Sequence, residues 1–323
     1  MARQMTSSSQ IHTSATRHMD VAAIREFGEV LLTSPTRLCF IVEEKYEHDA
    51  MPSVVAQALR SWGHEVDVLR PHSTLTDLGD LMPGSAGAYD AYVLKTVSSG
   101  PGLSILEAAA AAGIATVNDH RAIRLARDKA VAASRAQAAG LPFPTTWFAA
   151  RSALLSQVPR DRYPLVVKPN NGSSCEQIFR VDTPEELDRL DLDDSGFLLA
   201  QPYLSNPGYD VKLYNTGGEV FAAVRRSPLH PGQDVTEQLI PVTPELHALT
   251  VAVGRAFGLD IYGLDVVETP RGWVVLDVND FPSFGKVPDV AQRLARTVLR
   301  LARRATATPV STPAFVPAME ASA

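Results

Sequence analysis

Two cysteines in 323 residues, Cys39 and Cys175, are too few and too far apart for a disulfide framework or a thiolate metal cluster. No apolar run approaches the roughly 20 residues that a membrane-spanning helix needs, and positions 1–34 lack the apolar core of a secretory signal. Positive charge is also short. Thirty Lys and Arg against 36 Asp and Glu leave a formal net charge of −6, which argues against a broad nucleic-acid face. The basic cluster at 300–304 reads more simply as the last turns of a helix, where cations complement the helix dipole. No G-x-G-x-x-G follows a strand, and His48, His64, His72, His120, His230 and His247 are dispersed, so neither a dinucleotide fingerprint nor a Ser/His/Asp or Cys/His set is present. These absences lead us to expect a soluble, cytoplasmic protein with no nucleic-acid or membrane partner; a homo-oligomer stays open.

What is there is an ordinary globular composition, 45% hydrophobic and 20% charged, with length for two or three compact units. Strand patterns at 37–42, 64–69, 89–95 and 114–117 alternate with helical patterns at 50–62 and 104–112, which predicts an open parallel α/β unit over 37–120. A basic, alanine-rich helix is predicted over 121–139, followed by an extended linker at Pro142 and Pro144 and a strand at 145–148. A strand over 162–169 precedes the small polar loop 170–176, and Thr183-Pro184-Glu185-Glu186 has the form of a capped helix start. The apolar run 197–204 meets a proline and so reads as an edge or connecting strand. Residues 210–214 and 219–226 form a hairpin about Gly217-Gly218, placing Lys212 and Arg225 or Arg226 near one sheet surface. A helix over 244–257 leads to a second hairpin, and a helix over 290–304 packs back. The organisation expected is a loose tail at 1–36, units at 37–120, 121–198 and 199–304, and a disordered tail at 305–323.

Three features carry chemistry. Lys168 lies within the apolar run Val166-Val167-Lys168-Pro169, where an ammonium needs an anionic partner or must snorkel from the strand end. The backbone of the loop after it can wrap a phosphate or simply turn. Ser99-Gly100-Pro101-Gly102 reads as a turn. In the second hairpin Asp265, Asp277 and Asn279 fall on neighbouring strands, and alternation puts Asp277 and Asn279 on one face. Three hard oxygen donors suit magnesium or manganese; the other reading is the polar end of a half-buried strand.

In this order, from Asp128-Lys129 through Lys168, the polar loop, the basic hairpin and Asp265 to Asp277-Val278-Asn279, the chain resembles the ATP-grasp superfamily over roughly 37–303. The resemblance implies an ATP-grasp fold, α/β with α+β lobes, behind an N-terminal open parallel α/β domain. It implies ATP and magnesium (or manganese), with Lys129 and Lys168 as the nucleotide lysines and Gly172, Ser173 and Ser174 as the phosphate flap. Gln201, Pro202, Tyr203 and Leu204 would form the adenine hinge, with Pro202 where relatives carry Glu. Asp210 matches the step that includes Lys212; Lys212 and Arg225 are the implied catalytic cations; Asp265, Asp277 and Asn279 are the implied metal ligands. The flap has one glycine where relatives have three, and Asp277 stands for the usual Glu. Ser283, Gly285 and Lys286 are expected to border the acceptor pocket. The amino-terminal half is similar to bacterial glutamate-ligase and glutathione-synthetase type enzymes, whereas Asp277-Val278-Asn279-Asp280-Phe281-Pro282 is similar to the inositol trisphosphate kinases. The expected activity is ATP-dependent joining of a carboxylate to an amine through an acyl phosphate, releasing ADP and phosphate. The alternatives are a small-molecule kinase using the same site, or a nucleotide-binding module without turnover.

Overall fold

The computed structural model describes residues 34–306 except 83, 86, 96–99, 172–176, 191, 193–195, 231, 233 and 234. The tail before 34, the tail after 306, Ser99, Cys175 and the flap residues Gly172, Ser173 and Ser174 lie outside the described residues.

The first sheet is parallel, as the alternation predicts: β1 (Arg37–Val42), β2 (Glu65–Leu69), β3 (Ala91–Lys95) and β4 (Ala115–Val117) lie in the order β2-β1-β3-β4. Helices α1 (Ala50–Ser61) and α2 (Pro101–Ala111) make the crossovers. Every residue of β3 is buried, as expected for a parallel strand covered on both faces. That places Lys95 in the interior at the strand's end.

The single helix expected over 121–139 is two helices, α3 (His120–Arg127) and α4 (Lys129–Ala138). Asp128 separates them. Its backbone is extended and its Oδ1 accepts from the N–H groups of Ala130 and Val131, both at 3.1 Å, so a side chain that competes for backbone donors restarts the helix as an N-cap. Asn170 holds this break from the far side, accepting from Ala130 N at 2.9 Å and donating to Asp128 Oδ1 at 3.1 Å.

The second sheet contains β5 (Trp147–Ala149), β6 (Leu165–Pro169), β7 (Phe179–Val181) and β8 (Leu198–Pro202) in the order β5-β8-β6-β7. The expected edge strand over 197–204 is therefore an interior one. Pro202 is tolerated because it is the last residue of β8, opposite Leu165, and the next donor, Tyr203 N–H, bonds Pro164 O at 2.7 Å. The short α5 (Pro184–Leu187) starts as the sequence predicts, with Thr183 Oγ1 accepting from Glu186 N at 3.2 Å.

The third sheet is antiparallel, β9 (Tyr209–Thr216), β10 (Val220–Arg226), β11 (Gln238–Ile240), β12 (Ile261–Thr269) and β13 (Gly272–Asp280), ordered β11-β10-β9-β12-β13. Helix α6 (Pro244–Phe257) contributes Leu246, Val253 and Phe257 to the core over this sheet, against Val211, Leu213, Leu264 and Val266. Helix α7 (Val290–Thr306) packs on α1 and β4 and also clamps the β9–β10 turn, with Thr297 Oγ1 donating to Thr216 O and Arg300 Nη2 to Gly217 O at 2.8 Å. Gly217 has φ +102°, and a Cβ there would lie 2.3 Å from Thr297, so only glycine permits this contact. Asn118, buried after β4, joins the first sheet to the third: its Nδ2 donates to Ile261 O at 2.7 Å and its Oδ1 accepts from Ile261 N at 2.8 Å.

Candidate active site

The site is built on the β12–β13 hairpin. Register places Asp265 opposite Asp277 and, on its other side, opposite Lys212 of β9; Asn279 lies opposite Gly263. On β9 and β10, Ala223 pairs with Lys212 and Arg225 with Asp210, so alternation puts Lys212 and Arg225 on one face and turns the exposed Arg226 away. Lys212 Nζ lies 3.3 Å and Arg225 Nη2 3.2 Å from Asp265 Oδ1. Asp265 is buried, which raises its pKa, but Lys212 and Arg225 outweigh that penalty and hold the carboxyl below its ordinary value. Asn279 Nδ2 donates to the second oxygen of Asp265 at 3.2 Å.

The two lysines upstream converge on the next part of the same strand. Lys129 is the first residue of α4, brought to the strand by the break at Asp128, and its Nζ lies 2.8 and 2.7 Å from the two oxygens of Asp277. Lys168, near the end of β6 and 8% exposed, donates to Leu276 O at 3.1 Å. The ammonium of Lys168 is thus met by a backbone carbonyl of β13.

A cavity of about 440 Å³ opens between these groups and is lined by Lys129, Lys168, Lys212, Arg225, Asp265, Asp277 and Asn279. Gln201, Pro202, Tyr203, Leu204 and Asp210 line it as well, as do Ser283 and Gly285; Lys286 is exposed and does not. Gln201 Nε2 donates to Thr146 Oγ1 at 2.9 Å, which leaves the hinge backbone rather than this side chain to meet a ligand. Tyr203 is fixed by Arg180, whose guanidinium stands 4.3 Å over its ring, and by a 3.0 Å hydrogen bond between its hydroxyl and His230 Nε2. Burial pushes the Asp210 carboxyl above its ordinary value; a hydrogen bond from Ser227 and the charge of Arg225 oppose the shift, and Asp265 adds to it.

Arg127 and Asp280, also in the wall, escaped the sequence reading. Arg127 Nε lies 2.5 Å from Asp280 Oδ1, and these side chains are 14% and 1% exposed. Lys95 donates to Phe281 O at 2.6 Å, lies 3.4 Å from Asp49 Oδ2, and stands 4.8 Å over the Tyr46 ring. Burial lowers its pKa, with Asp49 and Asp280 opposing. Its signal in the sequence was the one used for Lys168, a lysine ending an apolar strand. For Arg127 and Asp280 the signal was adjacency to Lys129 and Asn279. Ser283 Oγ donates to the same Asp49 carboxylate at 2.8 Å.

The donor set fits a hard divalent cation. Asp265 and Asp277 supply two carboxylates whose oxygens already face cations, and Asn279 keeps its amide oxygen after donating its nitrogen. Among the described residues no group of three His, Cys, Asp or Glu gathers for a metal, so a cation here depends on phosphate oxygens to complete its shell, as magnesium does in nucleotide sites.

A cleft between two small sheets, with lysines from two elements facing a carboxylate hairpin, defines an ATP-grasp protein. Solved structures share this fold: a RimK domain ATP-grasp protein from Sphaerobacter thermophilus, at TM-score 0.62 and 21% identity, covers 81% of this chain and 98% of its own. D-alanine–D-alanine ligase from Bacillus anthracis complexed with ATP aligns at TM-score 0.61 and 15% identity, over 85% of this chain and 98% of its own. The sequence matches the RimK-like ATP-grasp domain over residues 126–300, and the chain belongs to that family. A probable alpha-L-glutamate ligase from Mannheimia succiniciproducens is 28% identical over 249 residues, 68% of this chain and 82% of that protein. The chain is an ATP-dependent carboxylate–amine ligase. Among the described residues no helix is long and apolar enough to cross a membrane.

Proposed function

We propose that ATP occupies the 440 Å³ cavity with its adenine on the main chain of 201–204 and its phosphates toward β13, and that the acceptor amine is that of an α-amino acid, glutamate in the first instance. One observation carries this reading: four cations from four separate elements, Lys129 of α4, Lys168 of β6, Lys212 of β9 and Arg225 of β10, converge on one stretch of a single hairpin. Asp265 and Asp277 neutralise only part of this charge, four cations against two carboxylates, and a triphosphate supplies the rest. The segments 121–198 and 199–304 would then act as the two halves that clasp the nucleotide. The choice of glutamate rests on the names of the similar ligases.

Catalysis in this reading is positioning and charge neutralisation. A carboxylate oxygen of the acid attacks the γ-phosphorus, the bond to the β-phosphate oxygen breaks, and ADP leaves. Arg225 and Lys212 hold the transferred phosphoryl group, while Lys129 and Lys168 hold the phosphates of the nucleotide. Asp265, Asp277 and Asn279 would hold magnesium or manganese, which when bound neutralises phosphate charge. The amine, as its free base after releasing a proton to solvent, then attacks the acyl carbon, the carbon–oxygen bond to phosphate breaks, the departing phosphate takes up the second nitrogen proton, and the amide forms. No side-chain nucleophile is needed, consistent with the dispersed histidines. The reaction belongs in the cytoplasm, where ATP is plentiful and a thiol such as Cys39 stays reduced.

The test is stoichiometric. Incubation with ATP, magnesium, a panel of acids and L-glutamate should give ADP, free phosphate and amide in equal amounts. ADP accompanied by a phosphorylated product, with no free phosphate, would overturn the ligase assignment in favour of phosphoryl transfer.

A further inference from the structure

The carboxylates that line the cavity are almost all committed. Asp265 is paired to Lys212 and Arg225, Asp277 to Lys129, and Asp280 to Arg127, while Asp210 is buried against Ser227. Glu237 differs. It precedes the edge strand β11, is exposed into the cavity, and among the described residues no Lys, Arg or His lies within ion-pair distance of it.

Its surroundings form a small niche. Gly285 faces it: a Cβ built on Gly285 would stand 2.6 Å from Glu237 Oε1 and 3.2 Å from the Tyr214 hydroxyl. Glu237 Oε1 and the Tyr214 hydroxyl oxygen therefore pack side by side over the bare Cα of Gly285, close enough together for one nitrogen at the cavity wall to reach both. Tyr214 is fixed there, with its ring 5.6 Å from that of Phe284, and burial, together with the charges of Glu237 and Asp265, raises its pKa and keeps the hydroxyl protonated. Phe284 has φ +55° and Gly285 φ +32°, so the loop is held in a left-handed path that presents the bare face of Gly285 to the niche. On β9, Tyr214 is two residues from Lys212 and on the same face, about 7 Å along the strand. The niche thus adjoins the cations that face Asp265 without being part of them.

We infer that Glu237 and Tyr214, brought together over the bare Cα of Gly285, form the seat of the acceptor's ammonium group, which selects primary amines that arrive charged. This rests on the ligase reading and names the residues that recognise its second substrate. An amino acid reaches the site as an ammonium ion. It is repelled by the cations that hold phosphate, so a separate anionic seat at the edge of that cluster is what brings it in. A charge-assisted contact to a carboxylate and an acceptor contact to a hydroxyl together satisfy two of the three ammonium donors.

The experiment compares two amines in the full chain with ATP, magnesium and, as the acid, the member of the panel that the wild-type protein activates best. L-Glutamate is the charged amine; hydroxylamine, small and uncharged at neutral pH, traps the acyl phosphate as a hydroxamate without needing the seat. For Glu237→Gln the ratio of kcat/KM for L-glutamate to that for hydroxylamine should fall about tenfold or more, the size expected for loss of one charge-assisted contact. The loss should appear in the KM for L-glutamate, and Glu237→Asp should restore part of the ratio. A general structural defect lowers both amines alike and leaves the ratio unchanged. A ratio within twofold of wild type in Glu237→Gln overturns the seat while leaving the ligase reading intact. Failure of the wild-type protein to form either product with any acid of the panel overturns the ligase reading, and the seat with it.

Discussion

Replacing Asp280 with Asn tests how the two halves of the site are fastened together. Arg127 ends α3, one residue before the break that delivers Lys129, and Asp280 follows Asn279 on β13. Their 2.5 Å contact lies in the interior, at 14% and 1% side-chain exposure. Two unit charges at that separation attract by roughly 7 kcal/mol at an effective dielectric constant of 20, and most of this is offset by the desolvation of both ions. Removing one charge alone does not restore the water that Arg127 gave up, so Asp280→Asn should destabilise the protein by about 3–5 kcal/mol. With a urea m-value of about 3 kcal/mol per molar, the unfolding midpoint should fall by at least about 1 M. Lys95, which also feels the charge of Asp280, should be pushed further toward its neutral form. The double change Arg127→Met with Asp280→Leu should recover most of the stability, because no lone charge then stays buried. Equilibrium urea unfolding followed by tryptophan fluorescence measures each variant. A midpoint for Asp280→Asn within about 0.3 M of wild type, on the same m-value, refutes the reasoning.

Other outcomes follow from the same geometry. Lys168→Ala should raise the Kd for ATP about tenfold or more, the loss of one charge-assisted contact, and calorimetric titration showing unchanged affinity would remove Lys168 from the phosphate site. Asp277→Asn should abolish magnesium-dependent turnover, by at least about a hundredfold in kcat, while its circular dichroism stays that of the wild type; full activity would dismiss Asp277 as a metal ligand. Asp210 gives a pH signature. Its folded pKa is raised, so the folded protein binds more protons than the unfolded chain between the ordinary carboxylate value and the raised one, and stability falls as pH rises through that window. Below the ordinary value the effect vanishes. Thermal melts of Asp210→Asn from pH 3.5 to 7 should therefore show the variant gaining on wild type as pH rises; a variant that loses ground to wild type over that range contradicts the shift.

The sequence by itself determined the local elements, because their signals are local. Gly258 ends α6 with φ +73°, Thr183 caps α5, and alternation placed Asp277 and Asn279 on one face of their strand, whereas the choice of Arg225 over Arg226 beside Lys212 and the pairing of Asp265 with Asp277 came from the register of the sheet. Family membership was legible too, since the order of short motifs survives without any knowledge of distance. Tertiary structure decided what depends on competition or on long-range approach. Asp128 has the same alanine-rich surroundings as a helix interior, and only the contact from Asn170, 42 residues away, reveals it as a cap that turns Lys129 toward β13. Pro202 suggested an edge because proline lacks a donor, yet strand order put β8 inside, with the missing donor falling at the strand's last residue. The ion pair of Arg127 with Asp280 and the niche of Glu237, Tyr214 and Gly285 join residues from separate segments. Their chemistry lies in proximity, and no spacing along a chain encodes that.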